Sequence, residues 1–265
     1  MSTTPRRKTR QVMVGDKRHG IVGIGGSSPV ALQTMTSTYT YDIDATVKQI
    51  NDLHQAGSDM VRVAVPDKRD TAALKEILNQ VRVPIIADVH FHFERAMESI
   101  EAGVHKIRLN PGNIKDRPKV EKVIAACRER RIPIRVGANE GGIVERQNKG
   151  QRSEEQAALE QDYQGTMTAI MVEKLEEYLR IFADNDFYDV VLSAKSVDPQ
   201  IVLSAYREIS NRFDFPLHLG VTHAGPPETG RIRSVVALGA LLAQGIGDTI
   251  RISYAADPVY EVEVG

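Results

Sequence analysis

The sequence contains one cysteine, Cys127, and no tryptophan. A single thiol excludes an internal disulfide, and it excludes a cysteine-rich metal cluster held by this chain alone. Aromatic residues make up only 5% of the chain, and no apolar run reaches the 18 residues of a transmembrane helix. Charge of one sign is lacking too. Lys+Arg number 34 against Asp+Glu 35, for a net charge of −1. No global field therefore points to nucleic acid or a membrane surface. The N-terminus, MSTTPRRKTRQ, has no apolar stretch of the kind a secretory signal needs. Its Arg6, Arg7, Lys8 and Arg10 read as a solvated tail. GIGGSS lacks the third glycine of a dinucleotide fingerprint and precedes a strand. These absences leave a cytoplasmic globular protein as the reading.

Strand-like runs alternate with helical ones. The strands are PVALQTM from Pro29, DMVRVAV from Asp59, PIIADVH from Pro84 and KIRLN from Lys106, then PIRVGAN from Pro133, DVVLSAK from Asp189, PLHLGVT from Pro216 and TIRISYA from Thr249. The first helix sets the pattern. Asp42 or Asp44 can cap it, Val47, Ile50 and Leu53 form its apolar stripe, and Gly57 follows its end. Alternation implies parallel strands joined by right-handed crossovers. Eight such units across residues 1–265 predict one α/β domain, a (β/α)8 TIM barrel, ahead of an open doubly wound sheet. RQVMVGDKRHGIVGIGG reads as an N-terminal hairpin closing the bottom of the barrel. EGGIVERQNKG (140–150) reads as a long glycine-containing connection, a lid or a surface insertion, followed by helix from about Ser153 to Asp184. The eighth helix, in DPVYEVEVG, is expected to be incomplete.

Period-two alternation assigns faces. Val61, Val63 and Val65 oppose Arg62, and Ile107 and Leu109 oppose Arg108 and Asn110. Ile134 and Val136 oppose Arg135 and Asn139, Val190 and Leu192 oppose Ser193 and Lys195, and Ile250 and Ile252 oppose Arg251 and Ser253. The apolar faces must meet the outer helices, so the cations point into the barrel. A barrel interior is normally filled by branched apolar side chains. Cations from five strands at one mouth demand counter-charge, and Asp88 is the clear acid nearby. A compact, multiply anionic ligand such as a phosphate ester meets that demand, because guanidinium forks match phosphate oxygens in pairs.

Other polar groups suggest chemistry. Asp88, His90 and His92 lie two apart in ADVHFH and could share a metal. The alternative, favoured here, is that His90 bonds ligand and His92 caps the next helix, so no metal site is expected. Lys195 could form a Schiff base. His223 and Glu228, in THAGPPETG, could transfer protons, or serve only as loop and capping groups.

LQTMTSTYTYD, VRVAVP, ADVHF, KIRLNPGNI, PIRVGAN, LSAKS, HLGVT and GIGDTIRIS with ADPV run in order across nearly the whole chain. Together they resemble the (E)-4-hydroxy-3-methylbut-2-enyl diphosphate synthase family of the methylerythritol phosphate pathway. The resemblance implies an oxidoreductase of isoprenoid biosynthesis. Its substrate would be 2-C-methyl-D-erythritol 2,4-cyclodiphosphate, opened and reductively dehydrated to 4-hydroxy-3-methylbut-2-enyl diphosphate. It implies diphosphate contacts from Arg62, Arg108, Arg135, Lys195 and Arg251, further contacts from Asn110, Asn139 and Ser253, and a matching segment at Asp88 and His90. It also implies a [4Fe-4S] cluster held by three cysteines and one glutamate of a C-terminal iron–sulfur domain, a flavodoxin or ferredoxin as electron donor, and a homodimer. This chain lacks those cysteines, so it is expected to supply the substrate-binding barrel and to be inactive alone. Many members read Thr-Glu-Ala-Gly where this chain reads Thr222-His223-Ala224-Gly225. Either His223 or Glu228 is then the expected proton donor. The rival activity is a class I aldolase acting on a sugar phosphate through Lys195.

Overall fold

The computed structural model describes residues 4–89, 92–109, 116–147, 162–222 and 224–265. Two strands, β1 (Gln11–Asp16) and β2 (Gly20–Gly25), form the antiparallel hairpin. Eight parallel strands follow: β3 (Ala31–Met35), β4 (Met60–Ala64), β5 (Ile85–Asp88), β6 (Lys106–Arg108), β7 (Ile134–Asn139), β8 (Val190–Lys195), β9 (His218–Leu219) and β10 (Thr249–Ile250). Their order is β8-β7-β6-β5-β4-β3-β10-β9. A bridge between Leu192 and Leu217 brings β8 to the approach of β9, so the barrel is nearly closed.

Helices α1 (Ile43–Gln55), α2 (Lys68–Gln80), α3 (Phe93–Ala102) and α4 (Arg117–Arg130) alternate with the first strands. Then come α5 (Glu140–Gln147), α6 (Tyr163–Asp184), α7 (Pro199–Arg212), α8 (Pro227–Ala243) and α9 (Pro258–Val264). Aspartates open most of them. Asp42, Asp162, Asp198 and Asp257 each accept a backbone N–H at the helix start, and Asp67 and Asp70 form a capping box. The outward strand residues Val61, Val63, Ile107, Val136 and Leu192 join Leu74, Ile100, Val123, Leu175 and Ile209 of the helices in one buried cluster. Among the described residues the face assignment made from alternation holds.

Two sequence expectations change. The connection after β7 is helical from Glu140 to Gln147, despite Gly141 and Gly142. The following helix is described only from Tyr163, and 148–161 lie outside the described residues. The basic N-terminus is not a solvated tail. Arg6 pairs with Asp248 at 2.8 Å, Arg10 pairs with Asp214 at 2.9 Å, and Arg7 donates to the carbonyls of Ser210, Phe213 and Phe215. Guanidinium groups satisfy the carbonyls left open where α7 ends, and that holds the segment down.

The hairpin closes the bottom of the barrel. Its Val12, Val14 and Ile24 pack on Ala31, Met60, Ile86 and Val191 from inside the strands. A polar clasp anchors it. Asp16 sits 2.9 Å from His19 Nδ1 and 3.3 Å from His105 Nε2. His19 Nε2 lies 2.9 Å from the Leu78 carbonyl, and His105 Nδ1 accepts the Ile85 N–H at 2.9 Å. The three side chains are close enough to hold a metal ion. However, the Ile85 donor fixes the His105 proton on Nε2, which closes that nitrogen to a metal. Among the described residues no helix is long and apolar enough to cross a membrane.

Candidate functional site

The C-terminal ends of the strands surround a cavity of about 610 Å3. Arg62, Arg108, Arg135, Lys195 and Arg251 all line it, with Asp88, Asn139 and Ser253. Parallel register sets this convergence. Asp88 is level with Arg108, Arg108 with Arg135, and Asn139 with Lys195. Equivalent inward positions on neighbouring strands place like charges side by side.

Among the described residues the counter-charge is partial. Asp88 lies 3.4 Å from Arg62 Nε and 3.3 Å from Arg108 Nη1. Arg62 also donates to the weak acceptor Met35 Sδ from Nε at 3.2 Å and from Nη2 at 2.9 Å. Arg135 Nη1 donates to Ser193 Oγ at 2.6 Å. Gly137 makes that possible, because a Cβ there would sit 2.2 Å from the Ser193 hydroxyl. Arg251 Nη2 lies 3.6 Å from Glu261 Oε2. That is an ion pair beyond hydrogen-bond length, and this oxygen has no hydrogen-bond partner among the described residues. The buried Nε–H groups of Arg108, Arg135 and Arg251 likewise lack an acceptor among them.

Burial dominates the electrostatics. It pushes Arg62 down to about 10 against the pull of Asp88, and it lowers Arg135 further, with Arg62 and Arg108 adding repulsion. Guanidinium groups nevertheless keep their proton in proteins. Burial raises Glu261, opposed by Arg251. Lys195 Nζ lies 3.3 Å from His218 Nε2, and both are driven well below their usual values, first by burial and then by neighbouring cations.

A buried frame holds these groups. Tyr206 of α7 accepts the Ala194 N–H at 3.1 Å and donates to the His218 carbonyl, tying β8 to β9 beside Lys195. Glu140 accepts from Ser196 at 2.6 Å, from the Val197 N–H at 3.3 Å and from the Tyr163 hydroxyl. That carboxylate draws the start of α5 onto the rim beyond β8, which is why helix begins at Glu140.

Not every candidate is in the cavity. Glu228 is exposed in the first turn of α8 and is not among the lining residues. A carboxylate is favoured there by the open N–H groups of the helix end. His92 occupies the N-cap position of α3 with no side-chain cap bond and is exposed. His90, Asn110 and His223 lie outside the described residues. Sequence reasoning passed over Glu261, Glu140, Tyr206 and His218. Alternation of Leu217 and Leu219 against His218 and Gly220 carried a signal for His218 alone.

Comparison with known proteins adds three findings. Residues 9–265 match the family described as the GcpE TIM-barrel domain. A protein of Exiguobacterium sibiricum, named 4-hydroxy-3-methylbut-2-en-1-yl diphosphate synthase (flavodoxin), is 45% identical over 98% of this chain. Proteins of the same name from Geobacillus thermodenitrificans and Clostridium perfringens are each 44% identical over 98% of it. The chain spans 66%, 65% and 70% of the lengths of these three relatives, so it falls just short of two thirds in the first two. Among solved structures, dihydropteroate synthase from Stenotrophomonas maltophilia superposes with a TM-score of 0.60, covering 89% of this chain and 90% of its own, at 14% identity. N-acetylneuraminic acid synthetase from Leptospira borgpetersenii superposes at 0.58, covering 97% and 84%, at 12% identity. Likeness at that level of identity concerns the fold alone.

Proposed function

This chain belongs to the GcpE TIM-barrel family, and from that membership we propose that it is the substrate-binding barrel of a 4-hydroxy-3-methylbut-2-enyl diphosphate synthase. The observation that carries the proposal is the ring of Arg62, Arg108, Arg135, Lys195 and Arg251 around one cavity, set against only partial acidic counter-charge. The cyclic diphosphate 2-C-methyl-D-erythritol 2,4-cyclodiphosphate brings two negative charges on a compact frame. Its oxygens would accept from the guanidinium groups that line the cavity. Asn139 and Ser253, at the rim, would orient the sugar-derived hydroxyls.

The residues here do not fit the four-iron cluster of the family. Cys127 is the only cysteine, it is buried in the core of α4, and burial raises its thiol well above the usual range. No step through a cluster is therefore assigned to this chain. Its share of the reaction is to bind, orient and neutralise the diphosphate so that the departing oxygens meet fixed positive charge. Electrons would come from a flavodoxin, which the relatives' name supports, through groups this chain does not supply. His223 and Glu228 are both retained as proton donors to be tested, with Glu228 disfavoured by its exposure. Homodimer formation is supported by the solvent-facing Ile232, Val235 and Val236 of α8.

Calorimetric titration of the chain with the cyclodiphosphate tests the binding role. Saturable one-to-one binding that Arg135→Ala weakens is expected, and absence of binding overturns it. The class I aldolase reading keeps one feature in its favour, a buried lysine whose pKa is lowered first by burial and then by neighbouring arginines. Borohydride trapping of a sugar phosphate on Lys195 would replace the first reading.

A further inference from the structure

Among the described residues, charge around the cavity does not balance. Arg62, Arg108, Arg135 and Arg251 keep their protons. Asp88 answers the first two and Glu261 the last. Among the described residues, Arg135 has only the hydroxyl of Ser193. The barrel also holds two lysines, Lys195 at the cavity wall and Lys106 beneath it. Lys106 is fully buried, and its contact among the described residues is Met60 Sδ at 3.7 Å. Two more ammonium charges in this space would face guanidinium groups across a low-dielectric interior. Lysine can shed its proton where arginine cannot.

The surroundings of Lys195 favour that outcome on every side. His218 on β9 offers it a lone pair, not a negative charge, at 3.3 Å. If His218 accepts through Nε2, its proton sits on Nδ1, which is buried without a partner among the described residues. Gly220 lets the amine lie flat against β9, since a Cβ there would come 2.9 Å from Nζ. Arg135 on β7, Arg62 on β4, Arg251 just after β10 and Arg108 on β6 all repel a proton from it. No carboxylate pairs with it among the described residues, Asp88 being engaged with Arg62 and Arg108.

We infer that Lys195 is an uncharged amine in the ligand-free protein, and that binding of a compact dianion draws a proton from solution onto it. The inference deepens the binding role proposed above and rests on it for the identity of the ligand. A dianion reverses the local potential, so the ammonium form becomes the favoured one. The proton comes from bulk water, and no bond in the ligand changes. Affinity is thereby linked to pH.

The test uses two probes that neither gain nor lose protons near neutrality, the cyclodiphosphate and inorganic sulfate. Calorimetry in buffers of different ionisation enthalpy reads the proton count directly. Uptake of about one proton per ligand is expected, with affinity falling by up to about tenfold per pH unit on the alkaline side. Lys195→Arg places a fixed cation at the same site, and its uptake should fall towards zero. Should that variant misfold, Lys195→Met takes its place, and its proton uptake should likewise fall towards zero. Binding with no proton uptake overturns the inference and leaves the binding role standing. Uptake that persists in a folded Lys195→Arg protein also overturns it, because the proton then goes elsewhere. Sulfate binding with uptake, but no cyclodiphosphate binding, overturns the ligand assignment and keeps the inference. If neither anion binds, both fall.

Discussion

Asp88 reaches Arg62 with one carboxylate oxygen, at 3.4 Å, and Arg108 with the other, at 3.3 Å. One buried acid thus restrains two arginines on the strands flanking its own. Removing its charge leaves both guanidiniums in a space that already holds Arg135. Asp88→Asn should cost about 3 kcal/mol of stability, seen as a fall of roughly 6–12 °C in Tm. An unchanged melting temperature would mean that the pair is not a structural element.

Arg135 responds in the opposite sense. It is 3% exposed and meets a neutral hydroxyl, so it repels its neighbours with no carboxylate partner among the described residues. Arg135→Ala should weaken cyclodiphosphate binding by about 10- to 100-fold, the range of a lost charged hydrogen bond. The same change should leave Tm unchanged or raised. Loss of stability together with unaltered affinity would place Arg135 in the scaffold and outside the site.

The clasp under the barrel should make stability fall on mild acidification. Burial, and then His19, lower the His105 value, so the folded protein keeps that ring neutral. The unfolded chain protonates it below about pH 6.5, and stability declines from there downwards. Asp16 is held well below the usual carboxylate range by hydrogen bonds to His19 and the neighbouring backbone, which outweigh desolvation. Its contribution is present above about pH 3.9 and is lost as pH falls further, towards its folded value. Urea midpoints at pH 7.5 and 5.5 should differ in the natural sequence and differ less in His105→Asn. Equal midpoints in the natural sequence would rule the clasp out.

The 265-residue chain, expressed alone and reconstituted with iron and sulfide, should stay colourless and carry no four-iron cluster. It should not turn over the cyclodiphosphate with reduced flavodoxin. Visible absorption and iron content check the first point and product analysis the second. Turnover at zero iron would require a different reductive route.

Much of this architecture is legible in the sequence because barrel strands obey a simple rule. Alternation of Val61, Val63 and Val65 with Arg62 records both the outer packing and the inner charge. Repeating that signal on five strands made the cation ring visible. Glu261 was not legible. It lies on α9, and only the closing of the barrel brings it to Arg251. Glu140 stands beside two glycines, which argue for a loop, yet its three acceptor bonds hold a helix start. Tyr206 looks like any apolar helix residue until its hydroxyl is seen between two strands. Arg6 and Arg7 belong to a basic run, and runs usually stay solvated. Their partners are carbonyls and an aspartate about 200 residues away in the chain or more, except for the nearby Ser28 carbonyl. Contacts that cross between elements carry no local pattern.

The sorting of charge also bears on how a ligand arrives. The whole chain is nearly neutral, with a net charge of −1, while its cavity concentrates arginine. The outer surface must therefore be the more acidic part. From a distance an anion meets little net attraction, and the cationic mouth is felt only within a Debye length of about 8–10 Å. Capture then depends on short-range fit. Association should be slower than for electrostatically steered pairs and should vary little with salt, whereas the lifetime of the complex should shorten as salt rises.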